Sequence, residues 1–130
     1  MPEIVGIGTD LCEIARIEKA IEKAHFYERV FSMEERDYLE KQGKRKAESA
    51  AAMFAAKEAV AKALGTGFAK GVSVSDISVT HDELGAPGIA LRGGALERLH
   101  AIGGTDVLLS LTHEGSMALA FALAKGQSKK

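Results

Sequence analysis

The sequence predicts a single α+β domain, and three observations carry that reading. A β-prone segment opens the chain, helical stretches follow, and the second half alternates short apolar strands with Gly-rich turns. At 130 residues the chain has the size of one domain, and no internal repeat or low-complexity linker divides it. Residues 1–125 are read as that domain and residues 126–130 as a polar tail.

The elements are justified in order. Residues 4–8, Ile-Val-Gly-Ile-Gly, read as a short buried strand whose two glycines let another backbone or a ligand approach. Thr9 and Asp10 then stand at a strand-to-helix junction. Leu11, Ile14, Ile17 and Ile21 recur at three and four residues, which predicts a helix with Asp10 as its N-cap and Glu13 completing a capping box. Residues 26–31 are aromatic and aperiodic and read as a turn of the chain. Ser32 caps a second helix, with Glu35 three residues on, that runs to about Gln42 and ends at Gly43.

Residues 48–64 are mainly Ala, Met, Leu, Glu and Lys, all strong helix formers, and Gly65 takes the position just past the helix end. The many alanines give this helix a small surface that neighbours can approach closely. Beyond Gly71, Ile77 and Val79 alternate with polar residues, which predicts a half-buried strand over residues 74–80. Residues 85–88, Gly-Ala-Pro-Gly, make a turn, and residues 89–91 a short strand. Residues 95–102 form a short helix ended by Gly103 and Gly104. Residues 107–112 and 117–124 are apolar strands joined as a hairpin through residues 113–116.

Composition excludes several function classes. Lys plus Arg is 17, Asp plus Glu is 18 and the net charge is -1, which argues against a basic nucleic-acid binder and against an acidic disordered chain. The one cysteine, Cys12, excludes an internal disulfide framework. The apolar run at residues 117–124 is too short to span a bilayer, so no membrane role is expected. With acidic Glu3 and no basic leader near the start, the expected setting is the reducing cytoplasm.

A few residues can carry chemistry. Glu58 and Lys62 are four apart on the third helix and share a face, which alone is ordinary solvated decoration. Asp10 is either the N-cap described above or a free carboxylate at a strand end. Magnesium takes one or two protein carboxylates plus phosphate and water, so Asp10 with Glu58 suits it, and Lys62 suits a phosphate oxygen. Spacing alone does not bring the three together. His113 sits where an apolar strand meets a turn, as a structural hydrogen-bonder or a ligand contact. Ser110 and Thr112 lie beside it, but no nucleophile elbow is present, which argues against a triad. His25, His81, His100 and Cys12 lack zinc-ligand spacing. No G-x-G-x-x-G or Walker lysine follows Gly6 and Gly8, which argues against the nucleotide folds. Arg16, Lys19 and Lys23 make a basic stripe on the first helix, with Glu13, Glu18 and Glu22 interspersed. It is either a mixed solvated face or a docking surface for an acidic partner.

Three blocks together resemble one family. They are Gly6-Ile7-Gly8-Thr9-Asp10-Leu11 with Ile14, Arg16 and Ile17; Phe54-Ala55-Ala56-Lys57-Glu58-Ala59 with Lys62, Ala63 and Gly65-Thr66-Gly67; and Leu109-Ser110-Leu111-Thr112-His113 followed by alternating alanines. In order and spacing, over nearly the whole chain, they resemble holo-acyl-carrier-protein synthase, the small bacterial class of 4'-phosphopantetheinyl transferases. The resemblance implies a mostly antiparallel sheet packed on a long central helix. It implies transfer of 4'-phosphopantetheine from coenzyme A to a serine of apo acyl carrier protein, with release of adenosine 3',5'-bisphosphate, in support of fatty acid biosynthesis.

It further implies that Asp10 and Glu58 ligate magnesium and that Lys62 meets the diphosphate. Gly65, Thr66, Pro87 and His113 would line the coenzyme A site. Arg16 would dock the acidic carrier protein, with Lys19 and Lys23 steering it, and a homotrimer would share each active site between neighbours. The serine proton would go to Glu58 or to a water on the magnesium. The chain departs from the family at three places. Met53 stands where Arg is common, so a cationic phosphate contact is either missing or taken over by Lys44, Arg45 or Lys46. Glu114 replaces a Thr, and Val74 replaces an aromatic residue. Two other readings remain: a non-catalytic trimeric module that binds coenzyme A or the carrier protein, and a metal-dependent phosphohydrolase.

Overall fold

The structure, a computed structural model, describes residues 2–127. Five strands and five helices follow in the order β1 (Pro2–Glu13), α1 (Ile14–Ala20), α2 (Ala24–Val30), α3 (Met33–Glu40), α4 (Lys46–Ala63), β2 (Ile77–His81), β3 (Pro87–Leu91), α5 (Gly93–Ala101), β4 (Gly104–Glu114) and β5 (Met117–Gln127). All strand pairing is antiparallel: a three-stranded sheet in the order β1-β5-β4, and a separate hairpin of β2 with β3. This is the α+β architecture expected. The long helix α4 lies across the larger sheet, against β1 and β5.

Two features let α4 pack so close. Its buried positions are mostly alanine: Ala50, Ala51, Ala55, Ala56, Ala59, Ala61 and Ala63. The facing strand β5 presents Ala118, Ala120, Ala122 and Ala124, all fully buried. A helix apolar on nearly every side belongs in a core. On β1 the same approach demands glycine. A Cβ on Gly8 would collide with the Ala59 carbonyl and lie 2.7 Å from the Ala63 nitrogen. Gly8→Ala is therefore expected to cost about 1–3 kcal/mol through overpacking against backbone that cannot yield. Calorimetry should show a Tm at least about 3 °C lower. An unchanged Tm would mean that the sheet and helix are not in contact there.

The ends of α3 and α4 follow the local signals. Ser32 Oγ accepts the Glu35 N–H at 3.1 Å and Glu35 Oε1 accepts the Ser32 N–H at 2.8 Å, a complete capping box. At the end of α4, Gly65 at φ +82 donates to the Lys62 carbonyl, and Thr66 to that of Ala61, the paired bonds of a Schellman turn.

Other boundaries differ from expectation. Asp10 is not an N-cap: β1 pairs with β5 through Glu13↔Met117, and the first helix begins only at Ile14. The ladder, continuous from Gly6↔Ala124 to Glu13↔Met117, satisfies more backbone than an early helix start would, and the Ile14 N–H is taken by the Ser116 carbonyl of the β4–β5 turn at 2.9 Å. Nor is the opening strand buried throughout. Ile4, Ile7 and Leu11 are 64%, 61% and 59% exposed on its outer side. Residues 26–31, expected to turn the chain, lie mostly within α2, whose Val30 and C-capping Phe31 reach the core. Pro87 and Gly88 belong to β3 rather than to the turn, and His113 and Glu114 to β4. Strand β5 continues through Gly126 and Gln127, expected in the tail. The rest of that tail, Ser128, Lys129 and Lys130, lies outside the described residues.

Candidate active site

Strand β1 and the last turns of α4 bring three expected residues together. Lys62 Nζ lies 3.1 Å from Asp10 Oδ1 and donates to the Thr9 carbonyl at 3.0 Å. Glu58, one turn back along α4, stands near enough to Asp10 to feel its charge. Burial first, and Asp10 second, push the Glu58 carboxyl above its ordinary pKa, opposed by Lys62 and Arg16. The charge of Arg16 thus reaches Glu58, so the expected docking residue lies on the same side of the molecule as the expected chemistry. Arg16, Lys19 and Lys23 are all exposed, though not on one helix: α1 ends at Ala20 and Lys23 lies in the turn before α2.

Beside Glu58 opens a cleft of about 460 Å³, lined by Phe26, Phe54, Phe68, Val72 and Val74, with Arg29 among its polar residues. Sequence reasoning missed this wall because Phe26 and Arg29 were read as part of a turn. Only a helical α2 sets both toward the same cleft. Val74, one of the departures named above, stands on that wall.

Arg45, Pro87 and His113 gather elsewhere, in a second cleft of about 240 Å³ with Tyr38, Glu48 and His81 among its walls. Glu48 stands between two of them: Oε2 lies 3.3 Å from His113 Nε2 and Oε1 3.3 Å from Arg45 Nε. Met53 lines the same cleft and is buried. Of the three cations considered to stand in for an arginine there, only Arg45 faces it. Lys44 and Lys46 line a different groove with Glu18 and Glu22, and Lys46 is paired with Glu40 at 2.6 Å. Gly65 and Thr66 remain with the first cluster, at the end of α4, where Thr66 Oγ1 donates to the Gly67 carbonyl at 2.8 Å.

The expected site is thus two clusters in one chain. Glu48, which holds the second, and Lys62, in the first, are fourteen residues apart on α4. At 1.5 Å per residue that is about 21 Å along the axis, and the two clefts lie on different sides of the helix.

Comparison with known proteins agrees with this architecture. The family described as "4'-phosphopantetheinyl transferase superfamily" matches residues 6–121. A holo-[acyl-carrier-protein] synthase of Clostridium tetani is 44% identical, over 95% of this chain and 98% of the relative. A crystal structure of the Helicobacter pylori holo-[acyl-carrier-protein] synthase in complex with coenzyme A superposes with a TM-score of 0.79 at 32% identity, covering 91% of this chain and 98% of that one. A Bacillus anthracis holo-(acyl-carrier-protein) synthase in complex with CoA (3',5'-ADP) gives 0.79 at 37% identity, covering 95% and 98%.

Proposed function

The chain belongs to the 4'-phosphopantetheinyl transferase superfamily, and from that membership we propose that it is a holo-acyl-carrier-protein synthase. As a single domain in the cytoplasm, it moves the 4'-phosphopantetheine arm of coenzyme A onto a serine of an acidic apo acyl carrier protein. Adenosine 3',5'-bisphosphate leaves, and the product serves fatty acid synthesis. The observation that carries this is the meeting of Asp10, Glu58 and Lys62 at the end of α4.

The donor set suits magnesium. Asp10 and Glu58 offer hard carboxylate oxygens, and among the described residues no three His, Cys, Asp or Glu side chains cluster into a closed metal cage. Magnesium takes one or two carboxylates and completes its shell with phosphate and water. Bound there, it would supply neutralisation of the diphosphate charge. Lys62 supplies a second positive charge. Its pairing with Asp10 is 54% exposed on the lysine side, and exposed pairs are worth only ~0–1 kcal/mol. Lys62 is therefore free to turn to a phosphate oxygen. Glu58, or a water held beside it, would accept the proton of the attacking serine. The apolar cleft beside it offers surface to the pantetheine arm. Arg16, Lys19 and Lys23 steer the acidic carrier toward this end of the molecule.

Arg45, Pro87 and His113 take the other end of coenzyme A. Its 3'-phosphate and 5'-diphosphate hang from one ribose, too short a link for clusters about 21 Å apart along one helix. A second copy of the chain therefore completes each site. The outer face of the larger sheet supports this. Ile7, Leu11, Leu119, Phe121 and Leu108 stand exposed on it, with Leu11 opposite Leu119 and both Ile7 and Leu108 opposite Leu123. A continuous apolar face of this kind marks an interface. Unlike half-sites meeting head to tail close into a ring, and the homotrimer is that ring.

The test is to mix the protein with coenzyme A, magnesium and apo carrier protein and weigh the carrier by mass spectrometry. A gain of one phosphopantetheine is expected. Coenzyme A bound without that gain would replace this reading with the non-catalytic module, and coenzyme A cleaved without it would replace it with the hydrolase.

A further inference from the structure

One buried charge pair takes no part in the chemistry above. Lys57 and Glu35 have side chains 1% exposed, with Lys57 Nζ 2.8 Å from Glu35 Oε1. Burying two charges is costly unless every remaining donor and acceptor finds a partner. Here both carboxylate oxygens and two of the three ammonium N–H groups are engaged, and the partners are telling. Lys57 Nζ also donates to the Ile77 carbonyl, and Glu35 Oε2 accepts the Val79 N–H at 2.7 Å. Those two backbone groups are on β2, whose other edge is paired with β3.

A carbonyl and the N–H two residues on are what a neighbouring strand would bind. The ion pair occupies the place of that strand: ammonium for its N–H, carboxylate for its carbonyl. An edge buried without such partners would strand two backbone polar groups. The same edge has a second tie. Tyr38, one turn after Glu35 on α3, stacks on His81, two residues after Val79, with ring centroids 3.9 Å apart and planes within 4°. His81 is the register partner of Pro87. Tyr38, His81 and Pro87 all line the cleft that holds Arg45 and His113.

Resting on the function proposed above, we propose that Glu35 and Lys57 are positioning residues for coenzyme A. As a surrogate strand they lock β2 to α3 and α4 and so fix the hairpin wall that faces Arg45 and His113 across the cleft. They touch neither the reacting atoms nor the carrier-docking face, so their effect falls on one substrate alone.

Calorimetric titration of the trimeric protein with adenosine 3',5'-bisphosphate tests this, together with the KM for carrier protein. Glu35→Gln alone leaves a buried ammonium unpaired and endangers the fold. The double variant Glu35→Gln/Lys57→Met removes both charges, leaves one amide oxygen to serve either the Val79 N–H or the Ser32 cap, and leaves the Ile77 carbonyl without its ammonium. Neutral replacements of a buried pair generally fold. Its Kd for the bisphosphate is expected to rise roughly tenfold while the carrier KM stays within about twofold. His81→Ala, at a half-buried position outside the core, is expected to raise the Kd about threefold. Wild-type Kd in the folded double variant, or in His81→Ala if the double variant does not fold, overturns the proposal and leaves the transferase reading standing. An equal loss toward both substrates also overturns it. A wild-type protein that does not bind the bisphosphate overturns the transferase reading itself.

Discussion

Glu58→Gln is expected to keep the fold and lose transfer by roughly 10²–10³-fold in kcat, the usual cost of removing one preorganised charge from a transition state. Glutamine preserves the shape of a half-buried side chain on α4 and deletes only its charge. The carboxylate pair becomes a single carboxylate, and the group proposed to ligate magnesium and to accept the serine proton loses its charge. Binding of adenosine 3',5'-bisphosphate to the Arg45 and His113 cleft should be unchanged, because Glu58 does not line it. The magnesium concentration needed for half-maximal rate should rise sharply. Full rate with unaltered magnesium dependence would remove Glu58 from the metal site.

The second large effect is a recovery. Lys62→Ala and His113→Ala are each expected to fall well below a tenth of wild-type transfer, since each deletes a proposed phosphate-binding donor from one half-site. Unfolded together and refolded as mixed assemblies, the two should regain activity. One chain then contributes intact Asp10, Glu58 and Lys62, and its neighbour intact Arg45 and His113. No such rescue is possible if each chain holds a whole site. Phe121→Asp, on the apolar outer face of β5, gives the complementary result: a smaller particle by light scattering and little transfer, with α4 and the sheet still folded. Activity from a monomer would defeat the shared site.

Elements governed by local bonds were legible before folding. The capping box of Ser32 with Glu35, the run of helix formers in α4 and the glycine at its end all act within four or five residues, so the sequence displays them. Asp10 shows the opposite case. Its neighbours offer the spacing of a helix start, but the β1–β5 ladder, joining positions more than a hundred residues apart, draws it into a strand. That placement is what frees its carboxylate to face Glu58 and Lys62 instead of capping a helix. Residues 26–31 were misjudged for a related reason: their aromatics show no period, and only the core they meet makes them helical.

Sequence alone determined which residue types are on offer for the proposed reaction: two carboxylates, a lysine at four-residue spacing on one helix, a distant histidine, and the glycines that let helix and sheet touch. Tertiary structure decided how those residues are shared out. The fixed rise of α4 sets Glu48 and Lys62 about 21 Å apart, which is the ground for proposing a site shared between two copies of the chain. The unpaired edge of β2 turned Lys57, adjacent to Glu58 in a shared motif, away from the chemistry and into a buried bond with Glu35. Neither outcome can be read from spacing, because each depends on backbone groups that become neighbours only when distant segments pack.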